Sequence, residues 1–241
     1  MQEQYQDFVL SKAQQPMAPA EPLSGIGTVV VAPGPGLTTV FESLGASFVV
    51  PGGQTMNPST EELLKAVEAT PADEVIILPN NKNIVMAAEQ AKSLSEKRVE
   101  VVPTITVPQG ISALLALNYQ ADLPTNVRTM VEATEAIETA EITQAVRSVQ
   151  LDGMDVGEGE VIGLINGILK VKGERPDRVV MDALGSMCAE EYEIITIYYG
   201  ESTTADEAQQ LAGEIAERYP EQEIEVVDGG QPHYHYILSA E

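Results

Sequence analysis

Short apolar runs alternate with longer amphipathic segments along the first half of the chain. The apolar runs are Val29–Val31, Phe48–Val50, Val75–Leu78 and Val99–Val102, and a helix-like pattern follows each of them. Short, fully apolar, β-branched runs are typical of parallel strands that are covered by helices on both faces. The pattern therefore predicts a parallel α/β lobe over residues 26–124, with its four strand-to-helix loops at one edge of the sheet.

A different pattern begins near residue 125 and predicts a mixed α+β lobe over residues 125–241. A helix-like segment runs from Thr125 to Ala140, and an alternating, strand-like segment runs from Ile142 to Val149. Asn166-Gly167 predicts a tight hairpin turn between two apolar strands. Further elements are predicted as a helix over 176–188, a strand over 194–199, and strands over 224–227 and 236–239. Thr203 or Thr204 can cap a further helix that runs to Tyr219, and Glu207 is placed for a capping box with Thr204.

Residues 1–25 differ from both lobes. Pro16, Pro19 and Pro22 stand among several alanines. This composition predicts a linker or a truncated helix, and it suggests that another segment lies upstream in a longer protein.

The charge and the apolar runs restrict the class of protein. The 241 residues carry a formal net charge of −24, which disfavours binding to nucleic acid and to anionic membrane surfaces. The charge is compatible with simple solubility or with a partner that has a basic face. No apolar run reaches the roughly 18 residues of a membrane span, and residues 1–22 lack the features of a signal peptide. We therefore expect a cytoplasmic protein without a membrane span.

The few cysteine and histidine residues limit metal and redox chemistry. Cys188 is the one cysteine, which excludes an internal disulfide and a multi-cysteine zinc site. It lies in an apolar, helix-like run, which predicts a buried structural thiol. His233 and His235 alternate on a predicted strand and would face the same side. They indicate either a pair of histidines at the lip of a site or two ligands of a metal ion.

Two Gly-Gly-Gln turns carry the first candidate ligand contacts. Gly52-Gly53-Gln54 follows a predicted strand and leads into a polar loop and a helix, whereas Gly229-Gly230-Gln231 follows a strand near the end of the chain. Helix capping explains Ser59 or Thr60 but neither Gln54 nor Thr55. The two turns therefore predict one cleft with two polar lips, with Gln54, Thr55, Asn57 and Gln231 as ligand-binding residues.

The remaining loops of the first lobe contribute further candidates. Asn80, Asn81 and Lys82 bring two amides and one cation to the predicted loop edge, and Gln109 lies in the next loop. The asparagines are equally compatible with helix capping. The Gly34-Pro35-Gly36 turn lacks the lysine of a Walker-A loop and the spacing of a dinucleotide-binding loop. It is better explained as a turn that lets helix and sheet approach closely.

Six segments, in order along the chain, resemble one known family. They are GGQTMNPSTEELL, LPNNKNIVMAAEQA, VVPTITVPQGISALLALN, TQAVRSVQLDG, GLINGILKV and GGQPHYHYILSAE. Together they resemble the C-terminal region of the bacterial fatty acid kinase ATP-binding subunit. That family is also described as DAK phosphatase or dihydroxyacetone kinase-like. The resemblance implies a two-lobed, DegV-like α/β fold, the same fold as that of the family's separate fatty-acid carrier subunit.

The resemblance also implies a division of labour. The whole enzyme uses ATP to phosphorylate a carrier-bound fatty acid, and its nucleotide domain lies upstream of the region that this chain resembles. ATP and Mg²⁺ are therefore expected only on that missing domain, and this chain is expected to need no cofactor and to be inactive alone. Thr55 matches a carrier threonine that holds the lipid carboxylate, and Asn80 and Asn81 stand where the carriers have a serine.

The sequence thus supports three classes of function. The leading hypothesis is a non-catalytic, carrier-like domain that docks or regulates the DegV-like fatty-acid carrier subunit, with a homodimer as a further expectation. The alternative is a fatty-acid or small-ligand binding module that uses the shared loop edge. The third class, a small enzyme, is disfavoured because no acid–base or metal cluster stands out. A deep apolar tunnel would favour acyl binding, whereas a filled interior would favour docking.

Overall fold

The computed structural model describes residues 25–54 and 56–241. Its first sheet has four parallel strands in the order β2-β1-β3-β4. These are β1 (Ile26–Ala32), β2 (Phe48–Pro51), β3 (Glu74–Leu78) and β4 (Arg98–Val101). The central strand β1 is buried along its whole length, as its apolar sequence predicts. The parallel α/β part of the predicted fold is confirmed.

Five helices accompany this sheet in the described part of the chain. They are α1 (Pro35–Ser43), α2 (Thr60–Ala69), α3 (Lys82–Leu94), α4 (Val107–Leu115) and α5 (Leu123–Glu135). Helix α2 begins at a complete capping box, in which the Ser59 hydroxyl accepts a hydrogen bond from the Glu62 backbone N–H and the Glu62 carboxylate accepts one from Ser59. The side chains of Asn81, Thr106 and Asp122 cap the three later helices.

The second sheet has six strands in the order β11-β10-β12-β5-β8-β9, and only β10 and β11 in it are parallel neighbours. Asn166 and Gly167 both have positive φ, as the predicted hairpin between β8 and β9 requires. Thr204 and Glu207 form the predicted capping box at the start of α7. The strands and helices are β5 (Glu138–Gln144), β6 (Val149–Leu151), β7 (Met154–Val156), β8 (Val161–Ile165), β9 (Ile168–Gly173), α6 (Pro176–Ser186), β10 (Ile194–Tyr199), α7 (Ala205–Arg218), β11 (Glu223–Asp228) and β12 (Tyr234–Ala240).

The two sheets share one hydrophobic core. Val30 and Leu78 of the first sheet belong to the same buried cluster as Tyr198 and Ile237 of the second. Helices α1, α4 and α5 contribute further side chains to this cluster. The predicted lobe boundary near residue 125 falls within α5, which packs mainly against α4, and the second sheet begins at β5.

Two glycine turns bring the backbones of the two lobes close together. The backbone N–H of Leu37, at the start of α1, donates to the carbonyl of Gly229 at 3.0 Å. A β-carbon on Gly36 would overlap the Asp228 carbonyl, and one on Gly34 would overlap the Gly230 carbonyl. The Gly34-Pro35-Gly36 turn therefore allows close packing, as predicted. The segment that packs against it is the second Gly-Gly-Gln turn.

Three predictions about local structure need correction. The helix predicted over Thr125–Ala140 ends at Glu135, because strand β5 begins at Glu138 in the middle of the second sheet. Cys188 is exposed rather than buried, because it follows the end of α6 in a left-handed conformation with φ 53°. The linker or truncated helix predicted over residues 1–25 lies almost wholly outside the described residues. None of the described helices is long and apolar enough to cross a membrane.

Candidate functional site

A small cavity lies where the loops of the parallel sheet meet the second sheet. Its apolar wall includes Val31 of β1, Ile84 of α3 and Ile237 of β12. Its volume is about 10 Å³, which is room for about one water molecule. The polar groups that reach it come from both sheets: Gln54, Asn80, Asn81, Glu141 and Tyr234.

Asn80 is a structural centre of this site. It adopts φ 54°, a left-handed conformation that asparagine tolerates better than most residues. Its side-chain Nδ2 donates to the Val31 carbonyl at 2.9 Å, and its backbone N–H donates to the Thr104 hydroxyl at 3.0 Å. Asn80 thus joins the ends of three loops. Its buried Oδ1 has no hydrogen-bond partner and lies against Gly110, where a β-carbon would overlap it.

Asn81 links helix capping to the first Gly-Gly-Gln turn. Its Oδ1 accepts a hydrogen bond from the Asn83 backbone N–H at 2.9 Å, which makes it the N-cap of α3. Its Nδ2 donates to the Gln54 side-chain oxygen at 3.3 Å. The capping interpretation of this residue is therefore confirmed, and the same side chain places an amide beside Gln54 in the cavity.

Glu141 is the main feature of the cavity that sequence analysis missed. It lies on β5, and a side-chain hydrogen bond joins its carboxyl to the Tyr234 hydroxyl. Burial raises the pKa of the Glu141 carboxyl to about 7, while the Tyr234 hydrogen bond and the Lys82 charge oppose this rise. Burial, the charge of Glu141 and the hydrogen bond to it all raise the pKa of Tyr234. Burial therefore favours the protonated form of Glu141 far more than water would.

The sequence around Glu141 resembles an exposed helix, which hid its position on a strand. Glu138 fits a helical spacing with Glu132 and Glu135, so the segment resembled a solvated helix face. The register of the second sheet places Glu141 opposite Ile237 and Leu164 in a central strand. A carboxylate within a central strand is costly to bury, and this cost is the physical cause of its raised pKa.

The other predicted ligand residues lie in several places. Lys82 is exposed at the first turn of α3 and interacts electrostatically with Glu141. Gln109 does not line the cavity, because its Oε1 accepts a hydrogen bond from the Ile105 backbone N–H at 2.8 Å. Asn57 lies in a separate groove beside β2. Thr55 is outside the described residues.

Gln231 departs most clearly from the predicted cleft. It is fully buried, and its Nε2 donates to the Tyr198 carbonyl at 2.9 Å. Its Oε1 lies over Gly229, where a β-carbon would overlap it. The second Gly-Gly-Gln turn therefore uses its glutamine to fill its own interior, and Gln231 is not among the residues that line the cavity.

Only one of the two histidines lies on the predicted strand. His233 has φ 71° and precedes β12, and only His235 belongs to that strand. The His235 Nδ1 lies 3.1 Å from the Ser202 hydroxyl, and burial lowers the pKa of His235. No group of three or more potential metal-ligating His, Cys, Asp or Glu residues occurs in residues 25–54 and 56–241.

One known protein family matches most of the chain. Residues 27–241 match the family model for the C-terminal region of FakA-like fatty acid kinase subunits. The chain is 45% identical over 215 residues to Protein YloV of Bacillus subtilis (strain 168). That alignment covers 89% of this chain but only 39% of YloV, so the chain spans well under half of that relative's length.

Solved structures share the fold at low sequence identity. A DegV family protein, Cg2579 from Corynebacterium glutamicum, superposes with a TM-score of 0.63 at 16% identity, covering 92% of this chain and 98% of that one. The Fak B3 protein of Streptococcus pneumoniae, solved loaded with linoleic acid, superposes with a TM-score of 0.59 at 11% identity, covering 90% and 99%. These similarities confirm a DegV-like arrangement of one parallel and one mixed sheet.

Proposed function

This chain belongs to the family of FakA-like fatty acid kinase C-terminal domains, and we propose that it docks or regulates a DegV-like fatty-acid carrier subunit. In this proposal the domain has the carrier fold without carrying lipid and without transferring phosphate. Nucleotide and Mg²⁺ would be handled by parts of the longer relatives that this chain does not cover.

The observation that carries the proposal is the filled interior between the two sheets. Pockets that enclose small molecules typically measure about 300–1,000 Å³, whereas the cavity at the loop edge measures about 10 Å³. The shared cluster of Val30, Leu78, Tyr198 and Ile237 occupies the space between the sheets. An acyl chain would have to displace these side chains, at a cost in buried apolar contacts.

The chemistry of the cavity supports the same proposal. Glu141, when ionised, repels a second carboxylate, and the side-chain oxygen of Gln54 is already a hydrogen-bond acceptor for Asn81. The positive charge of Lys82 counteracts this repulsion. Its side chain is exposed, however, so its charge is largely screened by water. The site therefore offers a free fatty acid neither volume nor a strong complementary charge.

A binding experiment tests the proposal directly. The chain is immobilised and exposed to the DegV-like carrier subunit, with and without bound fatty acid, in surface plasmon resonance. An unrelated acidic protein of similar size is immobilised as the control for charge. The carrier is expected to bind saturably to this chain and not to the control protein. Native mass spectrometry of the purified chain is expected to show no bound lipid. Absence of carrier binding would contradict the docking proposal.

The second candidate function is fatty-acid binding by this domain itself. It is favoured by the polar groups of Gln54, Asn80 and Asn81 at the loop edge of a fold that Fak B3 shares. Native mass spectrometry separates the two candidates. A stoichiometric fatty-acid adduct on the purified chain, combined with no affinity for the carrier, would replace the docking proposal by this one.

A further inference from the structure

A β-bulge near the start of β12 directs Tyr234 toward Glu141. In the antiparallel pair of β12 and β5, Ile237 lies opposite Glu141. The register then shifts between Tyr236 and Tyr234, so that β12 contains an extra residue relative to β5. Because of this residue, Tyr234 lies on the same face of the sheet as Glu141 and Ile237, whereas regular alternation would place it on the opposite face. Bulges that redirect a side chain in this way are common next to functional sites.

The backbone on both sides of Tyr234 is held by other elements. The His235 carbonyl accepts a hydrogen bond at 2.9 Å from the backbone N–H of Gly200, in the turn that follows β10. The His233 carbonyl accepts one at 2.6 Å from the hydroxyl of Thr143 on β5. These two bonds fix the bulge, and with it the position of the Tyr234 side chain in the wall of the cavity.

The groups around the Glu141 carboxyl are those that recognise a carboxylic acid or a carboxylate. The Tyr234 hydroxyl is hydrogen-bonded to it, and the ammonium group of Lys82 attracts it when it is ionised. Lys82 is the first residue of α3, where the helix dipole adds a partial positive charge. The cavity therefore supplies partners for one carboxyl group, and a side chain of the protein itself provides that group.

The space that remains in the cavity is too small for a second carboxyl group. About 10 Å³ is left beside Glu141, which is room for about one water molecule. Two carboxylates that share one site also repel each other. A carboxyl group from another molecule can therefore enter only when the Glu141 carboxyl is absent.

We propose that this cavity is a carboxyl-binding site that the chain occupies with its own Glu141 side chain. Removal of that side chain would let the site bind a small carboxylic acid or carboxylate. The site would hold little more than the carboxyl group, because the apolar cluster between the sheets leaves no room for a long acyl chain. The inference rests on the part of the proposed function in which the domain carries no lipid, and it does not rest on docking to the carrier.

Rescue of a deletion variant by acetate tests the inference. Glu141→Ala removes a carboxymethyl group, and acetate matches the removed group in size and chemistry. Thermal unfolding followed by circular dichroism measures the Tm of this variant in sodium acetate and in equimolar sodium chloride. Acetate at about ten times its Kd should raise the Tm by about 3–6 °C. Glu141→Gln is the matched control, because its amide keeps the site filled and should abolish the response to acetate.

A second substitution tests whether Tyr234 recognises the acid. Tyr234→Phe, combined with Glu141→Ala, removes the hydroxyl that would bind acetate and should weaken the affinity about tenfold. Saturation-transfer NMR on the acetate methyl group measures this affinity in the folded protein. If Glu141→Ala fails to fold, Glu141→Val retains a strand-forming residue, and formate then matches the vacated space.

Several outcomes would overturn the inference. One is a folded Glu141→Ala chain that shows neither a higher Tm in acetate nor saturation transfer. Others are an equal response of Glu141→Gln, or an acetate affinity that Tyr234→Phe leaves unchanged. Deletion variants that stay unfolded with and without the acid would also contradict it, because the missing group should refill the site. Carrier binding by the wild-type chain is measured separately by surface plasmon resonance, so a failure of docking is distinguishable from a failure of this inference.

Discussion

The carboxyl of Glu141, on a half-buried side chain, is expected to make the stability of the chain depend on pH. Its pKa is about 7 in the folded protein and 4.5 as the reference value for the unfolded chain. Between these two values the folded state binds more protons than the unfolded state, so the free energy of unfolding falls as pH rises. A shift of this size corresponds to about 3 kcal/mol when it is complete above pH 7. Below pH 4.5 the penalty is absent.

Glu141→Gln replaces the carboxyl by an uncharged group of the same shape that still accepts a hydrogen bond from Tyr234. The variant should therefore be more stable than the wild-type chain at high pH, and its advantage should shrink as pH falls. From pH 8.5 to pH 5.5 the difference should change by about 1–2 kcal/mol, the lower figure applying because water reaches part of this half-buried side chain. The chain would tend to precipitate near its isoelectric point of 4.2, and both pH values lie well above it.

Urea unfolding followed by circular dichroism at both pH values measures this difference. Glu217→Gln, at an exposed position of α7, controls for the loss of one negative charge from an acidic chain. It should change stability little and equally at the two pH values. The electrostatic reasoning would be refuted if Glu141→Gln changed stability by the same amount at pH 5.5 and pH 8.5, or if it destabilised the chain at pH 8.5.

Three further predictions concern packing, activity and association with the carrier. Gly110→Ala should lower the free energy of unfolding by about 1–3 kcal/mol in urea titrations, because its methyl group would overlap the buried Asn80 side chain; Gly213→Ala, in open space on α7, should instead raise it by up to about 1 kcal/mol. The purified chain with carrier, fatty acid and Mg-ATP should form no acyl phosphate, and turnover above a no-protein control would contradict this. If acidic faces steer the carrier encounter, its on-rate should fall as salt rises, whereas a flat on-rate would leave the charge as a solubility device.

The sequence predicted the parts of this molecule that depend on local chemistry. The four apolar strand runs, the Asn-Gly hairpin turn and the Thr204/Glu207 capping box all lie where expected. Each is determined within a few residues by side-chain shape or by a local hydrogen bond. The convergence of Gln54, Asn80 and Asn81 also followed from the geometry of parallel strands.

The parts that sequence analysis missed depend on partners distant in the chain. Strand β5 carries glutamates at a helix-like spacing, and its strand state comes from pairing with β12 and β8. Gln231 resembled a ligand-binding residue. In the structure its side-chain amide donates a hydrogen bond to the Tyr198 carbonyl, which belongs to another strand. Neither contact leaves a trace in the local pattern, since both arise only when the second sheet assembles.

The contact between the two glycine turns has a consequence for the order in which the domain is made. Helix α1 precedes most of this domain in the chain, yet the acceptor for its Leu37 N–H, Gly229, lies 192 residues further on and is therefore synthesised much later. Strand β12, which joins β5 to β10 in the middle of the second sheet, emerges later still. Such long-range closure slows folding. One face of the first sheet therefore stays uncovered until translation of the domain is nearly finished. During this interval the exposed apolar surface favours aggregation and proteolysis.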